Sequence, residues 1–199
     1  LARRQNRCGI AFLVLILCAS CNRSAIEPSE SLVGASALPS AARLSQETIE
    51  INRAFGGGEG FGEHFLSYRL GSDDKLVVVH TYRPDDTVLG KEEFQLSHDV
   101  AAKARERLWR VRPEKLEGIN SDVRPVGCRR YSPHDLGDVA VGFMRPDKVF
   151  GIFTLPHPAS CNTHAAMEAR KLLHQVLRSL PHSKVATDFT ARQRVDEAP

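Results

Sequence analysis

HFLSYRLGSDDKLVVVHTYR, residues 64–83, reads as two β-strands joined by a tight turn. Gly71-Ser72-Asp73-Asp74 is a hairpin signal: glycine and aspartate tolerate the backbone angles a turn demands. In Lys75–Arg83, Leu76, Val78, His80 and Tyr82 fall on one face, and Val77, Val79 and Thr81 fall on the other. A strand apolar on both faces belongs inside a sheet rather than at its edge. Upstream, Glu47–Phe55 alternates Ile49 and Ile51 with polar neighbours and reads as a further strand. The glycine-rich run Gly56–Gly62 then turns the chain back.

Downstream, Ser97 is placed to cap a helix with Asp99 in its first turn. Val100, Ala101, Ala104, Leu108 and Val111 recur at helical spacing, and Pro113 ends the pattern. Val126–Tyr131 reads as a short strand. Asp138–Met144 and Val149–Leu155 form a second hairpin around Arg145-Pro146-Asp147-Lys148, with proline where a type I turn fixes φ. A last helix, capped by Asn162 or Thr163, carries an apolar stripe of Ala165, Ala169, Leu172, Leu173, Val176, Leu177 and Leu180. The order βββ-α-β(β)β-α predicts an α+β domain over residues 46–181: a mostly antiparallel sheet with two helices packed on one face. Residues 182–199, polar and following Pro181, read as a disordered tail.

The 199 residues are 42% hydrophobic and 26% charged, as expected of a folding chain. The formal charge of +3 comes from 27 basic and 24 acidic residues. Arg3, Arg4 and Arg7 precede Cys21 and no acidic residue does, so the chain from Cys21 onward is formally neutral. That removes the basis for a nucleic-acid partner.

Residues 1–20 place those arginines before an apolar run, Ile10–Leu17, and then Ala19 and Ser20. This is the plan of a secretory signal, with a run too short to span a bilayer. Leu17-Cys18-Ala19-Ser20-Cys21 resembles the lipobox of bacterial lipoproteins, although Cys18 stands where that family usually has leucine. The resemblance implies a signal peptide over 1–20 and lipidation, palmitate included, on Cys21. It further implies a cell-envelope location, at the periplasmic face of the outer membrane in a Gram-negative host. Simple secretory cleavage and an uncleaved anchor are the alternatives. Residues 21–45, rich in Ser, Ala and Pro, then form a flexible tether. The stretch from IEINRAFGGGEGFG to LSHDVAAKARERL is similar to small envelope-associated domains of unknown function, a likeness that carries no active site.

Beyond the leader only Cys128 and Cys161 remain, and two cysteines in an exported domain predict a disulfide. The rival reading is a zinc site of His157, Cys161 and His164 with Cys128; it matches no familiar ligand spacing, and no metal or other cofactor is expected. Gly56–Gly62 lacks the Lys and Ser/Thr of a phosphate loop. Ser97-His98-Asp99 and Ser132-Pro133-His134-Asp135 hold triad letters, but adjacent side chains diverge and cannot form a relay. The best candidate partner surface is the arginine-rich helix around Trp109, with Arg105, Arg107, Arg110 and Arg112. The partners expected are the membrane, through the lipid, and another envelope protein or an envelope polymer. The sequence thus favours a binding domain over an enzyme. The alternative is an envelope hydrolase whose histidines (His64, His80, His134, His157) meet a carboxylate only on folding.

Overall fold

The structure, a computed structural model, describes residues 44–56, 63–83, 85–118, 122–128, 139–147 and 149–196. Strands β1 (Thr48–Gly56), β2 (Glu63–Leu70), β3 (Lys75–Arg83) and β4 (Thr87–Gln95) form a meander. Helix α1 (His98–Leu108) follows, continued by a 3-10 turn over Trp109–Val111. Then come β5 (Asp122–Val123), β6 (Val139–Met144), β7 (Phe150–Leu155), α2 (His164–Ser179) and α3 (Lys184–Asp196). The sheet order is β4-β3-β2-β1-β6-β7-β5. Six strands run antiparallel, and the two-residue β5 pairs parallel to β7. The class is α+β, as expected.

The registers explain the core. Ile49 lies opposite Leu70 and Phe143, Ile51 opposite Tyr68 and Val141, and Leu70 opposite Leu76. All therefore share one face, because strand side chains alternate. These residues join a single buried cluster with Ala101, Ala104 and Leu108 of α1, with Ala169, Leu172 and Val176 of α2, and with Val185 and Phe189 of α3. On the opposite face Glu50, Asn52, Ser67, Val77 and Val79 stay half-buried.

One expected strand is not found at its described end, one helix end moves, and β4, β5 and α3 are new. The strand expected over Val126–Tyr131 is not one at its described end. Pro125 has no N–H to give a ladder, Cys128 N donates to Pro125 O at 3.0 Å, and Gly127 sits at φ +83°, so the segment turns; residues 129–131 lie outside the described residues. Pro113 does not itself end α1, since the regular helix stops at Leu108 and the 3-10 turn intervenes. Strand β4, TVLGKEEFQ, was not anticipated. Its Lys91, Glu92 and Glu93 suit a sheet edge, where charge discourages further pairing. It also makes β3 interior, as its two apolar faces require.

The tail expected over 182–199 is instead helix α3 across Lys184–Asp196. Ser183 caps it: its Oγ accepts from Ala186 N at 3.1 Å and donates to Glu92 Oε2 at 2.6 Å. Val185 and Phe189, four apart, are both buried. Burying one such phenylalanine stabilises by roughly 1.5–3 kcal/mol, enough to order a helix of weak intrinsic propensity.

Two internal ion pairs hold α1 and the segment that follows its 3-10 turn. Arg105, 1% exposed, donates to Asp74 Oδ1 at 2.6 Å and to the Gly71 carbonyl, fixing the helix to the β2–β3 turn. Burial alone would raise the Asp74 carboxyl, but hydrogen bonds from His98 and Arg105 outweigh it and hold the group below its ordinary range. Arg112 grips Glu47 with two hydrogen bonds, of 2.8 and 2.6 Å, in a buried pair.

Candidate functional site

The sheet brings two histidines together. Leu70 opposite Leu76 sets the β2–β3 register, which puts His64 opposite Tyr82 and His80 opposite Leu66 on the same face. The two imidazoles are then diagonal neighbours, within reach of each other. His64 Nδ1 and His80 Nε2 lie 2.9 Å apart, one donating to the other. A shared N–H···N bond needs at least one neutral ring.

Aromatic rings close around the pair. His64 stacks on Phe55 with centroids 4.8 Å apart and planes at 11°. Tyr82 lies 4.9 Å from His64, and Phe189 meets His80 edge-on at 5.2 Å. Phe189 comes from α3, which is seated here because Gly90 faces His80 across β3–β4 and presents no side chain. A Cβ on Gly90 would stand 3.0 Å from Val185 Cγ2. The guanidinium of Arg53 lies 5.9 Å from the Phe189 centroid. His80 is 3% exposed, and its pKa is pushed below the ordinary value first by burial, then by His64 and Arg192, with Asp188 pulling the other way. The arrangement is a buried, mostly apolar cell holding one shareable proton.

Elsewhere, Cys128 and Cys161 form a disulfide with their Cα atoms 5.6 Å apart. Thr163 reinforces it, its hydroxyl donating to Val126 O at 3.0 Å while capping α2 through Ala166 N at 3.2 Å. The thiols of the zinc reading are thereby spent, and no group of three or more metal-binding side chains occurs among the described residues. Cys21 lies outside the described residues, as do His134 and its neighbours. His157 is exposed and apart from the histidine pair. Gly56 pairs with Glu63 in the antiparallel β1–β2 ladder, and residues 57–62 of the glycine run lie outside the described residues. Ser97 caps α1, and His98 meets Asp74 at 3.0 Å.

The arginine surface needs correction. Arg105 and Arg112 point inward to Asp74 and Glu47, and Trp109 covers the Arg112 guanidinium at 4.5 Å. Arg107 is exposed and Arg110 half-buried, so the outward charge of this helix is smaller than its composition implies. No helix among the described residues is long and apolar enough to cross a membrane. No protein-family model matches the chain, and comparison with curated proteins gives no significant match.

Proposed function

We propose that the chain is a cell-envelope lipoprotein, anchored through Cys21 and carrying a disulfide-closed binding domain for another envelope protein or an envelope polymer. One observation carries the compartment: Cys128 and Cys161 are covalently paired, in a chain whose other cysteines lie at or before position 21. Such bonds persist where the surroundings are oxidising. Closing this loop stabilises by roughly 3–4 kcal/mol on the chain-entropy account, a contribution that a reducing compartment would remove.

The anchor is tested in the bacterial host by globomycin treatment and by Cys21→Ser. Accumulation of the precursor and loss of the mature form from membranes are the expected results. Unchanged processing and fractionation in both arms would overturn the lipid anchor. Crosslinking in the same host then identifies the partner. If the α1 surface makes the contact, Arg107→Glu abolishes the crosslink.

The convergence of His64 and His80 near Asp188 favours a second reading, an envelope hydrolase. Its members would be His64, half-buried and nearer solvent, and His80 behind it. On this reading His64→Ala removes activity towards an ester and amide panel without unfolding the domain. On the binding reading there is no such activity to remove.

A further inference from the structure

A groove opens where α2 ends and α3 begins. The last turn of α2, the connector 180–183 and one face of α3 form its walls, and Tyr68 of β2 lies at its base. Its volume is ≈ 550 Å³, and ligand sites typically span about 300–1,000 Å³. Leu177, Leu180 and the Tyr68 ring supply its apolar part, and Ser183, Thr187 and Thr190 add hydroxyls. Arg178, His182 and Arg194 also line it, and among the described residues no carboxylate does.

Three features describe this surface. First, Arg178 and Arg194 are exposed, and among the described residues neither has an ion-pair or side-chain hydrogen-bond partner, so both are free to meet an anion. Second, the Tyr68 hydroxyl also has no hydrogen-bond partner among the described residues. Burial pushes the Tyr68 phenol up, only partly countered by Arg53, so it remains an O–H donor. Third, the cations stand beside apolar side chains in one concavity. Lone cations therefore face an apolar bed, the complement of a molecule with an anionic head and an apolar chain.

We propose that this groove binds a single-chain amphiphile with an anionic head. Arg178 and Arg194 meet the head, and the chain lies over Leu177, Leu180 and Tyr68. Fatty carboxylates and alkyl phosphates share this chemistry. The proposal stands on the groove alone, so failure of the Cys21 anchor leaves it untouched.

The test is isothermal titration of the full chain, free of detergent, with dodecanoate, dodecyl phosphate and uncharged dodecanol. Saturable one-to-one binding of at least one anion is expected, with dodecanol much weaker. Tighter dodecanoate assigns a carboxylate head, and tighter dodecyl phosphate assigns a phosphate head. Arg178→Ala and Arg194→Ala should each weaken the anion by about tenfold or more, the worth of one charge-assisted hydrogen bond. Lys103→Ala, on the exposed side of α1, should change nothing. Ala191→Trp fills the groove without altering charge and should abolish binding, with circular dichroism confirming the fold. Any of three results overturns the proposal: no saturable binding of either anion, anion binding indifferent to both groove arginines, or dodecanol binding as tightly. A dimer in sedimentation that Ala191→Trp breaks, without amphiphile binding, would give the groove to a second copy of the chain and overturn it equally.

Discussion

Replacing His80 with leucine turns the buried histidine pair into a measurement. The native His80 pKa lies below its ordinary 6.5, mainly through burial, with His64 and Arg192 adding and Asp188 opposing. The sign follows from linkage. As the pH falls through 6.5 the unfolded chain takes up a proton that the folded chain resists, so unfolding is favoured. The contribution of this group to stability is whole above 6.5, declines below it, and levels off only under the folded-state pKa. For one excluded proton the slope approaches about 1.4 kcal/mol per pH unit, and integration from pH 6.5 to 5.5 gives at most about 1 kcal/mol. In a domain of this size that is roughly 2–4 °C in Tm.

Leucine fills similar space but cannot titrate. His80→Leu loses the bond to His64 and should cost about 1 kcal/mol at pH 7.5. The two stability curves should converge as the pH falls, with most of the gap closed by pH 5.5. Urea unfolding of the full, oxidised chain, followed by circular dichroism from pH 5.0 to 8.0, reads the gap directly. A gap constant across that range would show that His80 excludes no proton, and the account of the pair would fail.

Two further outcomes follow from the packing. Arg105→Met should destabilise by about 3 kcal/mol, the low end for breaking a buried pair, because Asp74 keeps 16% exposure and its bond to His98. Adding Asp74→Gly should recover more than half of that in equilibrium unfolding, since glycine accepts the φ of +61° there and no carboxylate is left unmatched; no recovery would show that the pair is not what is lost. Phe189→Ala should cost about 3 kcal/mol locally. Hydrogen exchange should then show amides of 184–196 unprotected and β6–β7 unchanged, whereas an even loss across the sheet would mean that α3 does not open on its own.

Much of the fold was legible because its cues are local. Two-residue alternation marked β1, turn signals between apolar runs marked the β2–β3 and β6–β7 hairpins, and caps at Ser97 and at Asn162 or Thr163 with apolar residues at helical spacing marked α1 and α2. What was missed depends on partners distant in sequence. In β4 the apolar residues Val88, Leu89 and Phe94 fit neither period, because an edge strand is held by backbone pairing to β3 and its Lys91 and Glu93 side chains face water. In α3 the signal was reduced to Val185 and Phe189, and Pro181 read as an end rather than a bend. The histidine pair was half legible. His80 was rightly set beside Leu76 and Tyr82, but only counting the register back through the four-residue turn puts His64 against Tyr82 and so beside His80. The arginine surface misled because composition does not show direction. Arg105 and Arg112 look like solvent charges until Asp74 and Glu47, 31 and 65 positions away, are in place.

These threads meet in α3. Thirteen residues, with Thr187 and Thr190 among them, are too few to hold a helix unaided. It is ordered by docking: Val185 over Gly90, Phe189 over His80 and Phe55, Ser183 on Glu92. The element that seals the histidine pair therefore depends on that docking, and it also supplies a wall of the groove. A ligand that needs α3 docked would add about 2.7 kcal/mol at one hundred times its Kd. Proton exclusion at His80 moves stability by no more than about 1 kcal/mol between pH 6.5 and 5.5. If the proposed ligand requires α3 docked, its occupancy would outweigh acidity in holding α3 down.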